Sequence, residues 1–318
     1  MGEPAPRLSD LPGARGPAVT VVVPTYNRAP SLARLLAALA DCEPPPGGFE
    51  VIVVDDGSDD GGATQEAVTT AASGARYVRQ TNAGPAAARN QGWRLARGPI
   101  VAFTDDDTLP DRQWLVDLVA EMDHRPDLAA VGGDIQPLKS GFLADFVQLE
   151  RLVGHGSDER GVRFLVTANA AYRTDRLREV DGFDEGFPMA SGEDTDLSFR
   201  LRRAGHVLGV TSRATVLHDH RTSVRALMRT YHRHGISRQR LAALHPDLGV
   251  GASTRSMLGP AYWARRYRYY RTGGCSPPQA VAFCGLRLAG LACYAAGIAK
   301  AGRRQPGVSG LRRRRRSP

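Results

Sequence analysis

The chain has 318 residues, 42% of them hydrophobic, and its 42 Lys+Arg against 33 Asp+Glu give a formal net charge of +9. This length and apolar content allow one large α/β domain with appendages, or two small domains, and exclude a wholly disordered protein. The charge is uneven, because residues 221–318 hold 20 Lys+Arg and one acid whereas residues 1–220 hold 22 basic and 32 acidic residues, which disfavours a protein that binds nucleic acid over its whole surface.

The cysteines and the first residues bear on location. The four cysteines are widely spaced and form no CxxC pair, which favours a reducing, cytoplasmic environment. Residues 1–17 are polar, contain four prolines and lack the apolar core of a secretory signal. They are therefore predicted to be a disordered lead-in.

Continuous apolar runs alternate with helical patterns over the first hundred residues. Strands are predicted at 19–23, 51–54, 77–78 and 100–103, and helices at 32–39 and 84–96. Apolar runs without polar alternation are typical of buried parallel strands. Three β-α units in series predict a right-handed α/β sandwich around a mainly parallel central sheet.

The alternation of predicted strands and helices is less regular farther along the chain. A helix is predicted at 114–122, strands are predicted at 131–135 and 164–167, and another helix begins at 191–194 and ends before Gly205. The chain then becomes rich in arginine at helical spacing, and residues 262–270 mix aromatics with arginine. Residues 281–299 are mostly apolar, and Arg287 is their single charge. Residues 312–316 are five arginines. We predict a lead-in (1–17), an α/β domain (18–222), a basic aromatic helical extension (223–274), and an apolar helix with a polybasic tail (275–318).

Polar residues directly follow three of the predicted strands. They are Pro24 to Asn27, the pair Asp55-Asp56, and the triplet Asp105-Asp106-Asp107. The carboxyl ends of parallel strands meet at one edge of a sheet, where ligands bind. Clustered acids repel one another unless a cation is bound, and hard oxygen ligands suit Mg²⁺ or Mn²⁺. The segment 55–58 also reads as an ordinary turn, whereas three acids straight after a buried strand are unusual for a solvated loop.

Five segments in order resemble the inverting nucleotide-sugar glycosyltransferases of family 2, which have the GT-A fold. The segments are 19–28, 53–58, 82–90, 103–107 and 182–197, so that the resemblance covers roughly 18–222. It implies a GT-A type, Rossmann-like sandwich with a helical basic C-terminal extension outside the family pattern.

The resemblance implies roles for the donor-binding residues. Tyr26, beside Pro24, would pack on the nucleobase, and Asp56 would accept the ring N–H that uracil and thymine both offer. Arg89 would lie near the nucleotide or its diphosphate. A UDP- or dTDP-sugar donor is therefore favoured.

The resemblance also implies a metal and a base. Asp105 would lie near the ribose and a Mn²⁺ or Mg²⁺ ion, and Asp107 would bind that ion. Asp106 would lie in the donor site, and whether Asp106 or Asp107 is the principal metal ligand is open. A histidine of the segment 216–220 would complete the ligands; we favour His218 over His220 because it comes first after the apolar pair, although either could simply cap a strand. Asp194 would be the catalytic base, with Glu193 beside it on the acceptor side. The alternative is that these acids are only the usual acidic residues in the first turn of a helix.

Other readings remain open. A sugar-phosphate nucleotidyltransferase would use a similar fold, but it usually has a basic, glycine-rich loop where this chain has Pro24 to Asn27. A basic protein without catalysis, which binds nucleic acid or membrane, is a second alternative. The large aromatics Trp93, Trp114, Phe183 and Phe187 could line an acceptor groove or the core.

The apolar segment 281–299 would be about 28 Å long as a helix at roughly 1.5 Å per residue. Its glycines, alanines and Arg287 make it a poor spanning segment, so an interfacial amphipathic helix or an ordinary buried C-terminal helix is expected. The expected partners are a nucleotide-sugar donor, a glycan, lipid-linked or small-molecule acceptor with a hydroxyl group, and an anionic membrane surface. The expected location is cytoplasmic, with peripheral association at the inner face of the plasma membrane.

Overall fold

A computed structural model of the protein describes residues 16–159, 161–187, 189–220, 223–248, 257 and 259–303. The predicted lead-in, apart from its last two residues, and the arginine run 312–316 lie outside the described residues. The chain divides into two compact units, residues 1–222 and 223–318.

The first unit alternates strands and helices. Its strands are β1 (Val19–Thr25), β2 (Phe49–Asp55), β3 (Arg76–Arg79), β4 (Ile100–Thr104), β5 (Thr108–Pro110), β6 (Leu128–Pro137), β7 (Gly156–Asp158), β8 (Gly161–Phe164), β9 (Asn169–Arg173) and β10 (Val207–His218). Its helices are α1 (Ala29–Ala40), α2 (Ala63–Thr69), α3 (Pro85–Arg94), α4 (Trp114–His124), α5 (Phe142–Leu149), α6 (Thr174–Glu179) and α7 (Glu193–Arg203).

Eight of these strands form one sheet in the order β3-β2-β1-β4-β9-β6-β10-β5. The first four are parallel, and β6 is parallel to β10. β9 runs antiparallel between β4 and β6, and β5 is an antiparallel edge strand beside β10. The predicted α/β sandwich with a mainly parallel central sheet is confirmed.

The continuous apolar runs are explained by burial on both faces of the sheet. Val21 and Val23 of β1 belong to the same core cluster as Leu35 of α1 and Trp114 of α4. Val22 belongs to a second cluster, with residues of α3 and α7. Successive strand side chains point to opposite faces, so a strand covered on both sides has no polar position.

The predicted strand at 164–167 is wrong. β8 ends at Phe164, and the strand that enters the sheet is β9. Side chains satisfy the backbone of the intervening apolar loop: the N–H of Leu165 donates to Ser198 Oγ at 3.0 Å, and the N–H of Val166 donates to His155 Nδ1 at 3.0 Å. The apolar run is therefore partly buried without pairing as a strand.

The second unit is helical in its described part. It contains α8 (Val224–Leu244), a 3₁₀ turn (Pro246–Leu248), α9 (Pro260–Thr272) and α10 (Pro277–Arg303). The helix expected over 281–299 lies within α10. Judged by length and composition, residues 277–302 could cross a membrane, with a mean hydropathy of 1.7 over their most apolar window.

Candidate functional site

The carboxyl ends of β1, β2 and β4 bring the predicted polar residues to one edge of the sheet. In the β1–β2 register Thr25 lies opposite Asp55, and the N–H of Asp56 donates to the carbonyl oxygen of Thr25 at 2.9 Å. Thr25 Oγ1 also donates to a carboxylate oxygen of Asp106 at 2.8 Å, which joins the end of β1 to the segment after β4. Pro24 and Tyr26 flank Thr25, and the Tyr26 side chain is 47% exposed at this edge.

Asp56 holds the loop that precedes α3. Its carboxylate accepts hydrogen bonds from the backbone N–H groups of Ala83 and Gly84, both at 2.8 Å, and from Gln80 Nε2 at 2.7 Å. The residue is only 5% exposed. Its contact with a nucleobase stays a prediction, since the visible role of this carboxylate is to fix the loop.

Gly57 makes the close approach of the two loops feasible. Its φ is +79°, a left-handed conformation, and an added Cβ would lie 2.9 Å from the backbone nitrogen of Asn82. Neighbouring Asp55 is fully buried and accepts hydrogen bonds from the Tyr77 hydroxyl at 2.6 Å and from Arg79 at 3.1 Å. Asp55 is thus the last residue of β2, and residues 56–58 are a loop that shapes the sheet edge, so the alternative of an ordinary turn over 55–58 is not what the structure shows.

The acid triplet after β4 is neutralised in part by Arg28. The Arg28 guanidinium forms ion pairs with Asp106, at 3.2 Å, and with Asp107. Burial raises the pKa of Asp106 to about 7, even though Arg28 acts in the opposite direction. Sequence reasoning missed Arg28, which closes the first family-like segment but carries no separate signal of its function.

Within the described part of the chain, Asp105, Asp107 and His218 form a group that could hold a metal ion. One ligand atom from each lies within 4.8 Å of the others. His218 Nε2 is 3.5 Å from an oxygen of Asp107, and the N–H of Asp219 donates to the carbonyl oxygen of Asp107 at 2.8 Å. The two carboxylates suit Mn²⁺ or Mg²⁺, and the imidazole favours Mn²⁺ of the two.

His220 lies behind His218 rather than among the acids. Its Nδ1 is 3.0 Å from His218 Nδ1, and its side chain is only 4% exposed. Burial and the neighbouring His218 lower the pKa of His220 to about 4, which keeps its ring neutral. The geometry therefore groups His218, the histidine favoured from the sequence, with the two acids.

Arg89 connects the acid triplet to the start of α7. It is 3% exposed, and its two terminal nitrogens donate to Asp105 and to Glu193, each at 2.9 Å. Arg89 was expected near a diphosphate; its contacts here are with two carboxylates, and the role at the diphosphate stays a prediction. Burial raises the pKa of Glu193 in spite of the Arg89 charge.

Asp194 follows Glu193 on α7, and most of the residue is shielded from solvent. One of its carboxylate oxygens accepts the N–H of Thr195 at 2.7 Å. Burial, and after it the charge of Glu193, raises the pKa of Asp194 to about 7. A pKa near neutrality is what a general base at this position would need, and the catalytic role of Asp194 stays a prediction.

The four large aromatics that could have lined an acceptor groove belong to the core. Trp93, Trp114, Phe183 and Phe187 are each 5% exposed or less. The indole N–H of Trp93 donates to Asn90 and that of Trp114 donates to Asn169, so the polar edges of both rings have internal partners. No described side chain of these four offers a ring face to a sugar.

The chain is similar to known glycosyltransferases. The family model "Glycosyl transferase family 2" matches residues 20–180. A pre-mycofactocin glycosyltransferase from Mycobacterium tuberculosis is 37% identical over 172 residues, which are 52% of this chain and 36% of that protein. The match thus spans about a third of the length of that relative.

Solved structures share the fold. A mannosyltransferase from Pyrobaculum calidifontis, PcManGT, in complex with GDP-Man and Mn²⁺, superposes with a TM-score of 0.59 at 22% identity, over 94% of this chain and 86% of that one. S. aureus TarS 1-349 in complex with UDP-GlcNAc superposes with a TM-score of 0.53 at 17% identity, over 90% of this chain and 92% of that one. At these identities the likeness shows the fold, and the expected GT-A type architecture is confirmed.

Proposed function

The chain belongs to glycosyl transferase family 2, and we propose that it moves one sugar from a nucleotide-diphosphate donor to a hydroxyl acceptor with inversion at the anomeric carbon. The observation that carries this proposal is the juxtaposition, at one edge of the sheet, of the group Asp105, Asp107 and His218 with the Glu193-Asp194 pair, linked through Arg89. A transferase needs both parts, one for the leaving diphosphate and one for the attacking hydroxyl.

The first part would hold the donor. Asp105, Asp107 and His218 would bind a Mn²⁺ or Mg²⁺ ion, which when present stabilises the negative charge that develops on the departing diphosphate. Tyr26 is exposed beside Pro24, where its ring can stack on a base. Asp56, Arg89 and Asp106 complete the donor side, and we propose UDP- or dTDP-sugars as donors, although PcManGT was solved with GDP-Man.

The second part would activate the acceptor. Asp194 takes the proton of the acceptor hydroxyl while that oxygen attacks the anomeric carbon from the face opposite the leaving group. Glu193 shapes the acceptor side, and its charge helps to raise the pKa of Asp194. One displacement inverts the centre, so an α-linked donor gives a β-linked product.

A donor screen tests the proposal. Full-length protein is incubated with UDP-, dTDP- and GDP-sugars, with Mn²⁺ or with chelator, and the released nucleotide is measured. We expect turnover with Mn²⁺ and loss of turnover with chelator. Turnover that survives chelator would contradict the metal role. Neither turnover nor binding with any donor would favour a binding protein, and release of pyrophosphate from a nucleoside triphosphate would favour the nucleotidyltransferase.

We also propose an acceptor class and a location. We propose a hydroxyl-bearing glycan, lipid-linked or small-molecule acceptor, and a cytoplasmic protein with its basic unit at an anionic membrane surface. The support for this surface is the sequence, in which residues 223–318 carry 19 Lys+Arg and one acid.

A further inference from the structure

Helix α10 has two chemically different faces. One face packs inside the C-terminal unit: Phe283 is fully buried, and Gly290 and Gly297 are buried at seven-residue spacing from it. An added Cβ on Gly290 would lie 2.5 Å from the Tyr231 ring of α8, and one on Gly297 would lie 2.1 Å from the carbonyl oxygen of His232. The glycines therefore let α8 and α10 pack closely.

The charged side chain within the apolar segment lies on this packed side. Arg287 Nε donates to the hydroxyl of Tyr262 on α9 at 2.5 Å, and the guanidinium lies over the Tyr262 ring. Its stem is partly buried there. The charge of Arg287, which seemed in the sequence to interrupt an apolar helix, is directed away from the opposite face.

That opposite face is uncharged over five turns. Between residues 281 and 299 every exposed residue is Val, Leu, Ala or Gly, and these residues recur at three- and four-residue spacing, which places them on one side of the helix. They are Val281, Ala282, Gly285, Leu288, Ala289, Ala292, Ala295, Ala296 and Ala299, called here the outward face. Val281 is 62% exposed and Leu288 52%. Only 17% of the most apolar window of this helix is buried.

Charge decides which partner such a face fits. The unit that carries the outward face has 19 Lys+Arg and one acid, Asp247. Arg265, Arg268 and Arg271 are exposed on α9, and residues 303–318, which begin at the last residue of α10, contain seven arginines and no acid. Two copies of so basic a unit repel each other, whereas a negatively charged lipid surface attracts it.

We propose that the outward face of α10 docks in the headgroup region of an anionic lipid bilayer, with the exposed arginines of α9 on the phosphates. The helix lies in the plane of the membrane and does not cross it. The reason is α8, which packs along α10 and carries Arg225, Arg229, Arg233, Arg238 and Arg240. A crossing α10 would bring this helix and its charges into hydrocarbon.

Vesicle co-sedimentation of the full chain tests the proposal, with phosphatidylcholine alone or mixed with phosphatidylglycerol, at low and high salt. The test variant is the double change Leu288→Glu with Ala292→Glu, which puts two acids on the outward face. The charge-matched control adds two acids to α8 instead, at the exposed Ala243 and Leu244 (Ala243→Glu with Leu244→Glu). Far-UV circular dichroism shows that each variant is folded.

We expect wild type and the α8 control to bind phosphatidylglycerol vesicles at low salt. The protein with Leu288→Glu and Ala292→Glu, called below the double variant, should bind at least about tenfold more weakly. Equal binding by the double variant would overturn the proposal. A dimer in vesicle-free solution that the double variant loses would assign the face to a second copy. Protein that resists extraction by alkaline carbonate would indicate a spanning helix. None of these measurements uses glycosyl transfer. A negative result for lipid binding therefore leaves the proposed activity untouched, and a negative donor screen leaves the lipid-binding proposal untouched.

Discussion

Arg89 and Glu193 form an ion pair of 2.9 Å in which the side chains are only 4% and 3% exposed. The same guanidinium holds Asp105 at 2.9 Å. One buried cation therefore connects a proposed metal ligand on the donor side with the neighbour of the proposed base on the acceptor side.

Replacement of Arg89 by Met should be strongly destabilising, because it leaves the buried Glu193 carboxylate without its countercharge. A loss of about 3–5 kcal/mol in the free energy of unfolding is expected, measured by urea denaturation. The double variant Arg89→Met with Glu193→Gln should recover part of that loss, since the uncompensated charge is removed. A loss under about 1 kcal/mol in the single variant would show that the ion pair contributes little.

Asp194→Asn should abolish transfer while donor binding survives. The amide keeps the shape of the carboxylate but cannot take a proton, and general bases contribute about 10²–10⁴-fold to rate. The measurement is kcat together with the Kd for UDP. The control is Asp181→Asn, because the Asp181 carboxylate is 95% exposed and its φ of +58° suits Asn equally well. Turnover by Asp194→Asn within a few-fold of wild type would remove Asp194 from the mechanism.

Turnover should depend on pH through Asp194. Burial and the Glu193 charge raise its pKa to about 7, and the base works only when deprotonated. Activity should therefore be low below pH 6, rise through pH 7 and level off above it, in a profile of kcat against pH at saturating Mn²⁺ and donor. In the same window stability should fall as pH rises, because the folded state favours the protonated acid. A kcat that is flat between pH 5 and 8 would be inconsistent with this assignment.

The two histidines at the end of β10 should differ in their effect on metal binding. His218→Ala removes a proposed ligand and should weaken Mn²⁺ binding by at least about tenfold, whereas His220→Ala removes a side chain behind the ligand and should have the smaller effect. Titration calorimetry or electron paramagnetic resonance of Mn²⁺ without donor measures this directly. His124→Ala, on the exposed end of α4, is the control. A larger loss for His220→Ala than for His218→Ala would reverse the assignment.

Gly57→Ala should destabilise the sheet edge more than Gly61→Ala does. Both glycines have a positive φ, +79° and +66°, but an added Cβ on Gly57 meets the backbone of Asn82 at 2.9 Å and one on Gly61 meets nothing within 4 Å. Backbone strain alone costs about 1–3 kcal/mol, so the excess for Gly57 measures the loop contact. Chemical denaturation should give a larger loss in the free energy of unfolding for Gly57→Ala than for Gly61→Ala. Equal losses would mean that the loops around Gly57 and Asn82 move apart without a cost in stability.

The sequence predicted the part of the sheet that is covered on both faces well, because β-branched runs such as Val19 to Val23 favour buried strands. It missed β9, whose Ala170 and Ala171 carry little strand propensity and pair with β4 and β6 only in the folded chain. The contacts of Arg89 could not be predicted either, since Glu193 lies 104 residues away along the chain. Residue types indicated which groups take part in the site, while their pairing depends on tertiary packing.

The contact between Arg28 and Asp107 bears on how the sheet edge handles its own charge. Arg28 supplies a permanent positive charge to a triplet of acids, one of which is nearly inaccessible to solvent. Arg28 contacts one oxygen of Asp107, and His218 Nε2 lies 3.5 Å from the other, so Arg28 reduces the negative charge of the proposed metal ligand without occupying the oxygen that faces His218. The proposed ion and donor would therefore bind to acids that Arg28 already neutralises in part, and the same arginine would limit the mutual repulsion of these acids between turnovers.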